Sequence, residues 1–432
     1  MIPTQAGSPG REACDVHDSL NSASELCPGA LKIVAGRYSV RIATNINAVE
    51  ALRAVWSKWA NSLDTDMDFY LHQVSQNSTA VEPYVITMYN DGIARAMLVG
   101  QIRKRRASSV VSFVKIPGPT ERVLEIRKGG RLGQPSSAID RALALELLRA
   151  TKSGQVDLIR FERLPLQSGL FQEIQQLPGF LVRECVPHVF CYSVLSLSDS
   201  GKKTPRIFSG KTMREMRRKT RILEHSFPGQ VSLRCFSQPV EIEDGMRDAM
   251  KVAVTTWQYY LGPGLNDTSR MRETYRFFAE RGWLRIYVLY LQEAPCAFLT
   301  GQLYNDTFHC QFAGYHPHYA QYSVGCLLTA RAFEDLAAAG VQRVDLGEGG
   351  QEHNRRLGCQ MSEEGTVHVY SPTMRGLLLN LFFGTTQIVR AGGRRTRSAF
   401  RLNWLDKIWS QFLVSRRRAS SPSSEKPRQG SR

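Results

Sequence analysis

Three apolar runs decide the fold of this chain: residues 284–291 (LRIYVLYL), residues 296–304 (CAFLTGQLY) and residues 308–315 (FHCQFAGY). The turns Gln292-Glu293-Ala294 and Asn305-Asp306 separate them. Runs of this length, rich in β-branched and aromatic residues and broken by short polar turns, predict consecutive antiparallel strands.

Helical patterns flank these strands on both sides. Two helices are predicted upstream: one has Met246, Met250, Val254 and Trp257 on one face, and the other covers Arg272–Arg281. Downstream, a helix is predicted from about Ser323 to Ala339 and a strand over Val341–Leu346. Gly340 follows the third helix, and glycine is a common helix stop. Antiparallel strands followed by a helix and one further strand predict an α/β fold with mixed pairing.

The first half of the chain repeats this order. A strand (Ser39–Ala43), a helix (49–59), two strands (Tyr84–Tyr89 and Ile93–Ile102), a strand (Val123–Arg127), a loop (Lys128–Gly133), a helix (Ser137–Ala150) and a strand (Val156–Phe161) are predicted in turn. The Asn90-Asp91-Gly92 turn is a strong hairpin signal. The order predicts an internal structural repeat.

The composition is typical of a protein with hydrophobic cores, and the positive charge is concentrated in two segments. The 432 residues are 42% hydrophobic and carry a net charge of +17. Residues 202–223 and 391–432 together carry the whole excess, so the rest is near neutral. This placement argues against a general nucleic-acid-binding surface.

Neither a membrane span nor a signal peptide is indicated. No apolar run approaches the roughly 18–20 residues that a span needs, and residues 1–36 lack the basic-then-apolar order of a signal sequence. A cytoplasmic location is the expectation. The nine cysteines show no CxxC spacing, and Cys185, Cys191, Cys296 and Cys310 lie in apparent strands, so they are interpreted as buried hydrophobes rather than zinc ligands.

Several short motifs of the second half resemble one known family. They are Ser209–Arg214 with Arg217-Arg218, Gly282–Tyr287, Tyr315–Tyr319, Tyr322–Gly325 and Asp345–Gly349. On these residues the segment 208–358 resembles the GNAT-superfamily acetyltransferases of the CelD type, which are associated with cellulose biosynthesis. The resemblance implies a tandem GNAT-like (acyl-CoA N-acyltransferase) fold, with mixed, mostly antiparallel sheets flanked by helices. It also implies acetyl-CoA or another acyl-CoA as co-substrate, and no metal.

The family tends to carry a Tyr-Lys pair just after the closing strand. This chain has His353-Asn354 there, followed by Arg355-Arg356. If that lysine binds an anionic substrate, the role passes to Arg355 or Arg356 or is altered. His353, Arg355 and Arg356 are therefore the predicted substrate-binding residues.

A helix start provides the predicted cradle for the cofactor pyrophosphate. Unpaired amides and the helix dipole favour anions there. Gln321, Tyr322, Ser323, Val324, Gly325 and Cys326 follow a strand and open a helix, with Ser323 as the expected N-cap and Gly325 allowing close approach. An ordinary capped helix is the alternative.

The corresponding loop of the first half, 128–133, offers Lys128 and Arg131 with Arg127 beside them. Gln134-Pro135 interrupts the run before its helix. A degenerate first copy that helps to shape the substrate groove is the preferred interpretation.

The sequence offers several candidates for the general base. Asp345 and Glu348 lie at the end of the closing strand, where a carboxylate could take a proton from the acceptor. Asp345 could equally cap a turn, and Glu348 could pair with Arg355 or Arg356. His316 is a further candidate catalytic residue, although a lone histidine is more often structural.

Two basic segments remain. Thr212 and Glu215 form a capping-box pattern, which predicts a helix from Met213 that contacts CoA phosphates, an anionic acceptor or tRNA, or is simply solvated. At the C-terminus, apolar runs 377–383 and 404–413 between arginines either dock on the catalytic domain or lie on an anionic membrane surface.

The predicted domains are a disordered segment 1–36, a first GNAT-like domain 37–200, a second domain 201–370 with the acyl-CoA site, an apolar and basic helical segment 371–414 and a disordered tail 415–432. The predicted function is transfer of an acyl group, with acetyl as the expected group, to an amine or hydroxyl of a sugar, polysaccharide precursor or related envelope intermediate. The alternatives are Fem-like aminoacyl-tRNA-dependent transfer and a non-catalytic scaffold in polysaccharide synthesis. The expected partner is a small-molecule or glycan acceptor, and nucleic acid is expected only under the tRNA alternative.

Overall fold

A computed structural model describes residues 32–34, 38–76, 80–111, 114–184, 188–197, 210–261, 264–348, 354–355 and 357–399. Its contacts divide the chain into two compact units. The first holds the described residues of 1–107, 118–185 and 367–380, and the second those of 108–117, 186–366 and 381–432.

The first unit is a mixed sheet with helices on both faces. Its strands are β1 (Lys32–Val34), β2 (Tyr38–Ala43), β3 (Val81–Asn90), β4 (Ile93–Val111), β5 (Val114–Gly133) and β6 (Leu158–Pro165), adjacent in that order. Its helices are α1 (Ile46–Glu50), α2 (Arg53–Trp56), α3 (Met67–Ser75), α4 (Ser137–Lys152) and α5 (Gly169–Gln176). Strands β5 and β6 pair in parallel, joined through α4.

The alternation of side chains along β3 explains why both faces of this sheet are covered. Ile86 packs in one apolar cluster with Leu143 of α4, while Val85 packs in another with Trp56 and Tyr70. Successive side chains of a strand point to opposite faces, so a fully apolar strand needs a layer on each side. The indole of Trp56 is fully buried and donates to the carbonyl of Thr65 at 2.7 Å.

The second unit repeats the plan. Its strands are β7 (His188–Ser196), β8 (Val231–Phe236), β9 (Leu284–Leu291), β10 (Ala294–Tyr304), β11 (Thr307–Tyr315), β12 (Arg343–Glu348) and β13 (Gln360–Tyr370). They lie in the order β13-β7-β12-β11-β10-β9-β8. Its helices are α6 (Gly210–Ser226), α7 (Ile242–Ala253), α8 (Trp257–Leu261), α9 (Ser269–Glu280) and α10 (Val324–Ala338).

The second unit also contains one parallel pair joined through a helix. Strands β11 and β12 run parallel with α10 between them, as β5 and β6 do around α4. The other pairs of β7 to β12 that the structure describes are antiparallel. The three strands read from residues 284–315 begin and end within two residues of their predicted bounds.

Two features differ from the sequence-based prediction. Residues 128–133, expected to be a loop, are the end of strand β5, where the backbone lies so close to β4 that a Cβ on Gly133 would sit 2.5 Å from the carbonyl oxygen of Arg95. The boundary at 200/201 also assigns β7 to the first domain, whereas β7 pairs with β12 and with residues 360–366 of β13 in the second unit. Val367 and Val369 of β13 belong to the first unit's core.

The described chain ends in a long helix, α11 (Met374–Ala399), which covers the predicted apolar run 377–383. The second predicted run, 404–413, lies outside the described residues, as do the segments 1–31 and 415–432. None of the helices in the described part of the chain is long and apolar enough to cross a bilayer.

Candidate active site

A crevice opens in the second unit where β11 and β12 part. They pair only over 307–309 and 343–345, ending at His309 and Asp345. Beyond that point β11 follows β10 as far as Tyr315, and β12 follows β7 as far as Glu348. The facing edges of the two strands therefore diverge, and their backbone donors and acceptors have no strand partner within the described part of the chain.

A bulge shapes the β11 wall of this crevice. Thr300 is opposite Phe312 and Gly301 is opposite Cys310, so Gln311 is the extra residue. A Cβ on Gly301 would lie 2.4 Å from the carbonyl oxygen of His309, so only glycine allows the two backbones to approach this closely. Bulges commonly redirect backbone and side chains beside functional sites.

Helix α10 begins after β11 and directs its N-terminus to the same end of the unit. Ser323 precedes the helix with φ 53°, a left-handed conformation that is costly for a residue other than glycine. The predicted N-cap hydrogen bond from the helix to the Ser323 side chain is not made. Instead, Nζ of Lys219 in α6 donates to Oγ of Ser323 at 2.8 Å, which places an ammonium group beside the start of α10.

The six predicted cofactor-binding residues are therefore not equivalent. The side chain of Val324 is fully buried in the core, and Tyr322 packs against it with its ring 5.5 Å from that of Phe227. Val324 can therefore offer a ligand only its backbone, whereas the side chain of Tyr322 is half-buried. Gln321 and Cys326 are exposed, and Gly325 is half-buried, with any Cβ there 3.2 Å from the Tyr315 ring.

A buried polar network lies where the crevice begins. Oδ2 of Asp345 accepts a short hydrogen bond from the hydroxyl of Tyr192 and lies 3.1 Å from Nδ1 of His309. Its Oδ1 accepts from the amide of Gly347 at 2.9 Å. Asp345 is 5% exposed and Tyr192 is equally buried, whereas the His309 side chain is 20% exposed. A carboxylate held by three donors orients its partners, and the histidine is the member that solvent can reach.

Further polar side chains share the His309 face of the sheet. Gln302 is opposite His309 in the pairing of β10 and β11 and donates to Gln311 at 2.6 Å. The hydroxyl oxygen of Tyr275 lies 3.1 Å from Oγ1 of Thr300 and 3.2 Å from Oε1 of Gln311, to which it donates. Burial raises the pKa of Tyr275, so its phenol remains a neutral donor. Gln311 is exposed and can reach a bound molecule.

The other predicted catalytic residues occupy different places. Glu348 is exposed at the end of β12, opposite Tyr192. His316 caps the short 3-10 helix Pro317–Tyr322, with its Nδ1 accepting from the amide of His318 at 3.2 Å. This contact engages one ring nitrogen, and a catalytic role for His316 stays a prediction.

Of the predicted substrate-binding residues, only Arg355 is described, and it is exposed. His353 and Arg356 lie outside the described residues.

Sequence reasoning missed His309 and Tyr192. His309 and Asp345 are neighbours only because of the parallel register of β11 and β12, which no local pattern reveals. Lys219 lies in the predicted basic helix, for which contact with CoA phosphates was one alternative, but its contact with Ser323 was not predicted.

A cysteine nucleophile gains no support from the surroundings of these strands. Burial raises the pKa of the Cys296 thiol to about 12 and also raises that of Cys310, to which Asp345 adds its repulsion. Both thiols stay protonated near neutral pH. Within the described ranges, no cluster of three metal-binding side chains is found.

Comparison with known proteins bears on this site. Residues 210–355, about a third of the chain, match the family model of the acetyltransferase (GNAT) domain. The match covers α6, the crevice and α10, so this region has the GNAT fold and resembles GNAT acyltransferases. The predicted α/β fold class is confirmed. No curated protein matches the chain.

Solved structures with a similar course of the chain are distant in sequence. FemX is 10% identical, with 68% of this chain and 90% of that chain covered and a TM-score of 0.48. A tandem GNAT protein from the clavulanic acid biosynthesis pathway is 12% identical, with 77% and 99% covered and a TM-score of 0.45. The C-terminal domain of a putative lysylphosphatidylglycerol synthetase from Agrobacterium fabrum is 10% identical, with 67% and 85% covered and a TM-score of 0.41.

Proposed function

We propose that the second unit transfers an acetyl group from acetyl-CoA to an amine or hydroxyl. The observation that carries the proposal is the divergence of β11 and β12 beside the start of α10, within the region that matches the GNAT domain. We expect an extended thioester arm to lie between the two strands where their pairing ends. A pyrophosphate fits at a helix N-terminus, and Lys219 adds a positive charge there.

His309 is the proposed general base. Asp345 holds the ring through Nδ1, which leaves Nε2 to take the proton from the acceptor. The acceptor nitrogen or oxygen forms a bond to the acyl carbon, the carbon–sulfur bond breaks, and the departing thiolate receives a proton from the imidazolium or from water. Asp345 and Tyr192 act as positioning residues, since neither needs to touch the substrate.

The acceptor we propose is a sugar, polysaccharide precursor or related envelope intermediate, in a cytoplasmic reaction. This choice rests on the resemblance of the short motifs to the CelD type. The polar face with Gln302, Gln311 and His309 is compatible with a hydroxyl-rich acceptor, since amide side chains both donate and accept hydrogen bonds. A non-catalytic scaffold is the rival, and it predicts no affinity for acetyl-CoA.

Helix α6 favours one further candidate, aminoacyl transfer from tRNA. Between 210 and 226 its sequence contains Lys211, Arg214, Arg217, Arg218, Lys219 and Arg221 against Glu215 and Glu224. Binding of tRNA to such a helix would weaken steeply with salt, because each phosphate contact releases counterions. An electrophoretic or fluorescence titration of tRNA at two salt concentrations separates this candidate from the acetyl-CoA reaction.

Peripheral contact with an anionic membrane is a proposal supported by α11. The side chains of Met374, Leu378, Leu381 and Ile388 recur at spacings of three, four and seven and are all more than half exposed. The helix sequence contains five arginines and no acidic residue. An apolar stripe on a basic helix is typical of helices that lie in the interface of anionic bilayers.

The experiment that tests the acetyl-transfer proposal is an acceptor screen that detects the free CoA thiol. Amino sugars, sugar nucleotides and oligosaccharides are incubated with acetyl-CoA and the full chain. The variant His309→Gln should lower kcat by about 10²-fold or more with little change in acetyl-CoA affinity, because general base catalysis contributes roughly that much. A variant with unchanged kcat on an active acceptor would remove His309 from its proposed role.

A further inference from the structure

One side-chain amide beside the crevice has its orientation set by its neighbours. Gln311 is the extra residue of the β11 bulge, and its exposed side chain lies on the face of the sheet that carries His309. Oε1 of Gln311 accepts from Nε2 of Gln302 at 2.6 Å and from the hydroxyl of Tyr275, whose oxygen is 3.2 Å away. A carbonyl oxygen has two lone pairs, so these two donors occupy Oε1 fully.

The two donors that hold Oε1 are themselves held in place. Tyr275 of α9 is fully buried, and its hydroxyl oxygen also lies 3.1 Å from Oγ1 of Thr300, a buried hydroxyl that can donate to it in turn. Gln302 is 5% exposed and lies opposite His309 in the pairing of β10 and β11. A rotation of the Gln311 amide by half a turn would place its N–H groups against those of Gln302 and remove both hydrogen bonds to Oε1.

This arrangement leaves the N–H groups of Gln311 for a molecule outside the protein. Within the described part of the chain, Nε2 of Gln311 makes no hydrogen bond. The pairing of β11 with β12 has already ended at His309 and Asp345, so Gln311 lies where the crevice is open. Nε2 is therefore an oriented donor that solvent or a bound acceptor completes.

Gln311 is also close to the proposed base. One residue separates it from His309 on β11, and two residues advance a strand by up to about 7 Å. Nε2 of His309 takes the proton of the reacting group, while Nε2 of Gln311 donates to an atom beside that group. With hydrogen bonds of about 3 Å at each end, the two nitrogens can hold two polar atoms on neighbouring carbons of one molecule.

We propose that Gln311 selects acceptors that have an oxygen atom on the carbon next to the reacting amine or hydroxyl. This inference rests on the proposed function, since it takes His309 as the base. The acceptor class is then a vicinal amino alcohol or a vicinal diol, and the second oxygen accepts from Nε2 of Gln311. Tyr275 and Gln302 are positioning residues, because they hold the amide and need not touch the acceptor.

Binding of small cyclic probes to the full chain tests this selection without requiring turnover. The amine pair is trans-2-aminocyclohexanol and cyclohexylamine, which differ only by the neighbouring hydroxyl. The pair for a hydroxyl acceptor is trans-1,2-cyclohexanediol and cyclohexanol. Dissociation constants are measured by ligand-observed NMR titration. In at least one pair, the member with the neighbouring hydroxyl should bind roughly 3- to 10-fold more tightly, which is the contribution of one neutral hydrogen bond.

Two variants test which side chains produce this preference. Gln311→Met keeps the length of an exposed side chain and removes its donors, so the preference should disappear while the member without the hydroxyl binds as before. Tyr275→Phe removes one of the two donors that orient the amide and should reduce the preference, which a merely structural role of Tyr275 would leave unchanged. Gln172→Met, at an exposed position of α5, is the matched control and should keep the preference of the wild type. Circular dichroism and thermal unfolding check that each variant folds.

Four results would overturn the proposal. Two concern the wild type: no saturable binding of any probe, and equal binding of both members in each pair. Two concern folded Gln311→Met: a preference that persists, and an equal loss of affinity for both members of a pair.

Release of the CoA thiol is measured separately, so this proposal and the acetyl-transfer proposal can fail independently. Acetyl transfer that proceeds equally well to acceptors without the neighbouring oxygen would overturn the selection by Gln311 and leave the proposed function intact. A preference in probe binding without thiol release from any acceptor would overturn only the proposed function.

Discussion

Replacing Lys219 with methionine tests whether α6 helps to hold the cofactor. The ammonium group of Lys219 lies 2.8 Å from Oγ of Ser323, immediately before the first turn of α10. Methionine keeps the length of the side chain and removes its charge. If Lys219 contacts a phosphate of the cofactor, the variant should lose that contact and keep the rest of the site.

The expected magnitude follows from the burial of this side chain. A hydrogen bond to a charged group contributes about 1.5–3 kcal/mol when well shielded. Lys219 is half-buried, so solvent screening reduces this to about 1–2 kcal/mol. At about 1.4 kcal/mol per factor of ten, acetyl-CoA should bind roughly 5- to 30-fold more weakly.

The assay is calorimetric titration with acetyl-CoA and with S-acetylpantetheine, which has the thioester arm but no nucleotide. The control is Arg214→Met, which removes the same charge from an exposed position of the same helix. Only Lys219→Met should weaken acetyl-CoA, and it should leave S-acetylpantetheine unchanged. If Lys219→Met and Arg214→Met weaken acetyl-CoA binding equally, the effect comes from the overall positive charge of α6 and not from a contact of Lys219. If Lys219→Met weakens acetyl-CoA and S-acetylpantetheine equally, the proposed contact with a phosphate is refuted.

Three further predictions concern the network, the fold and pH. Tyr192→Phe removes a hydrogen-bond donor to buried Asp345 and should lower the free energy of unfolding, measured by urea denaturation, by about 1–3 kcal/mol. The variant should also lower kcat more than it raises KM. A purely structural role of Tyr192 would leave the kcat of the folded enzyme unchanged. Gly301→Ala places a Cβ 2.4 Å from the His309 carbonyl oxygen and should lower the free energy of unfolding by about 1–3 kcal/mol through overpacking, whereas Gly179→Ala, which meets no neighbour within 4 Å and has no positive φ, should cost far less. Burial would raise the pKa of Asp248, but hydrogen bonds from Lys251 and Tyr290 hold that pKa below its usual value. Asp248→Asn should therefore lower the free energy of unfolding at pH 7, and its difference from the wild type should shrink as the pH falls below about 4. A stability difference that does not change with pH would contradict this prediction.

Local sequence patterns were sufficient for most elements of the second unit. Strand β9 has its predicted bounds, because an apolar run closed by a polar turn leaves few alternatives. Helix α10 ends at Ala338, next to the predicted stop at Gly340. The segment 128–133 was misjudged because its glycines indicate a loop, whereas Gly133 is needed for the close approach of β5 to β4.

Features that depend on distant parts of the chain could not be predicted. Strand β7 lies beside β12, about 150 residues later in the sequence, so its membership of the second unit follows from pairing alone. The contact between His309 and Asp345 depends on the register of two parallel strands joined through a helix. Ser323 was expected to cap α10, but its left-handed backbone and the contact with Lys219 give its hydroxyl another partner.

The most direct test of the central claim is calorimetric titration of acetyl-CoA into the full chain and into two tryptophan variants. Gly325→Trp fills the second helical position of α10, beside the Tyr315 ring, and Ala138→Trp fills the same position of α4 in the first unit. The account predicts that the wild type and Ala138→Trp bind acetyl-CoA alike and that Gly325→Trp does not bind. Binding that survives in folded Gly325→Trp, or its absence from the folded wild type, would contradict an acyl-CoA site in the second unit.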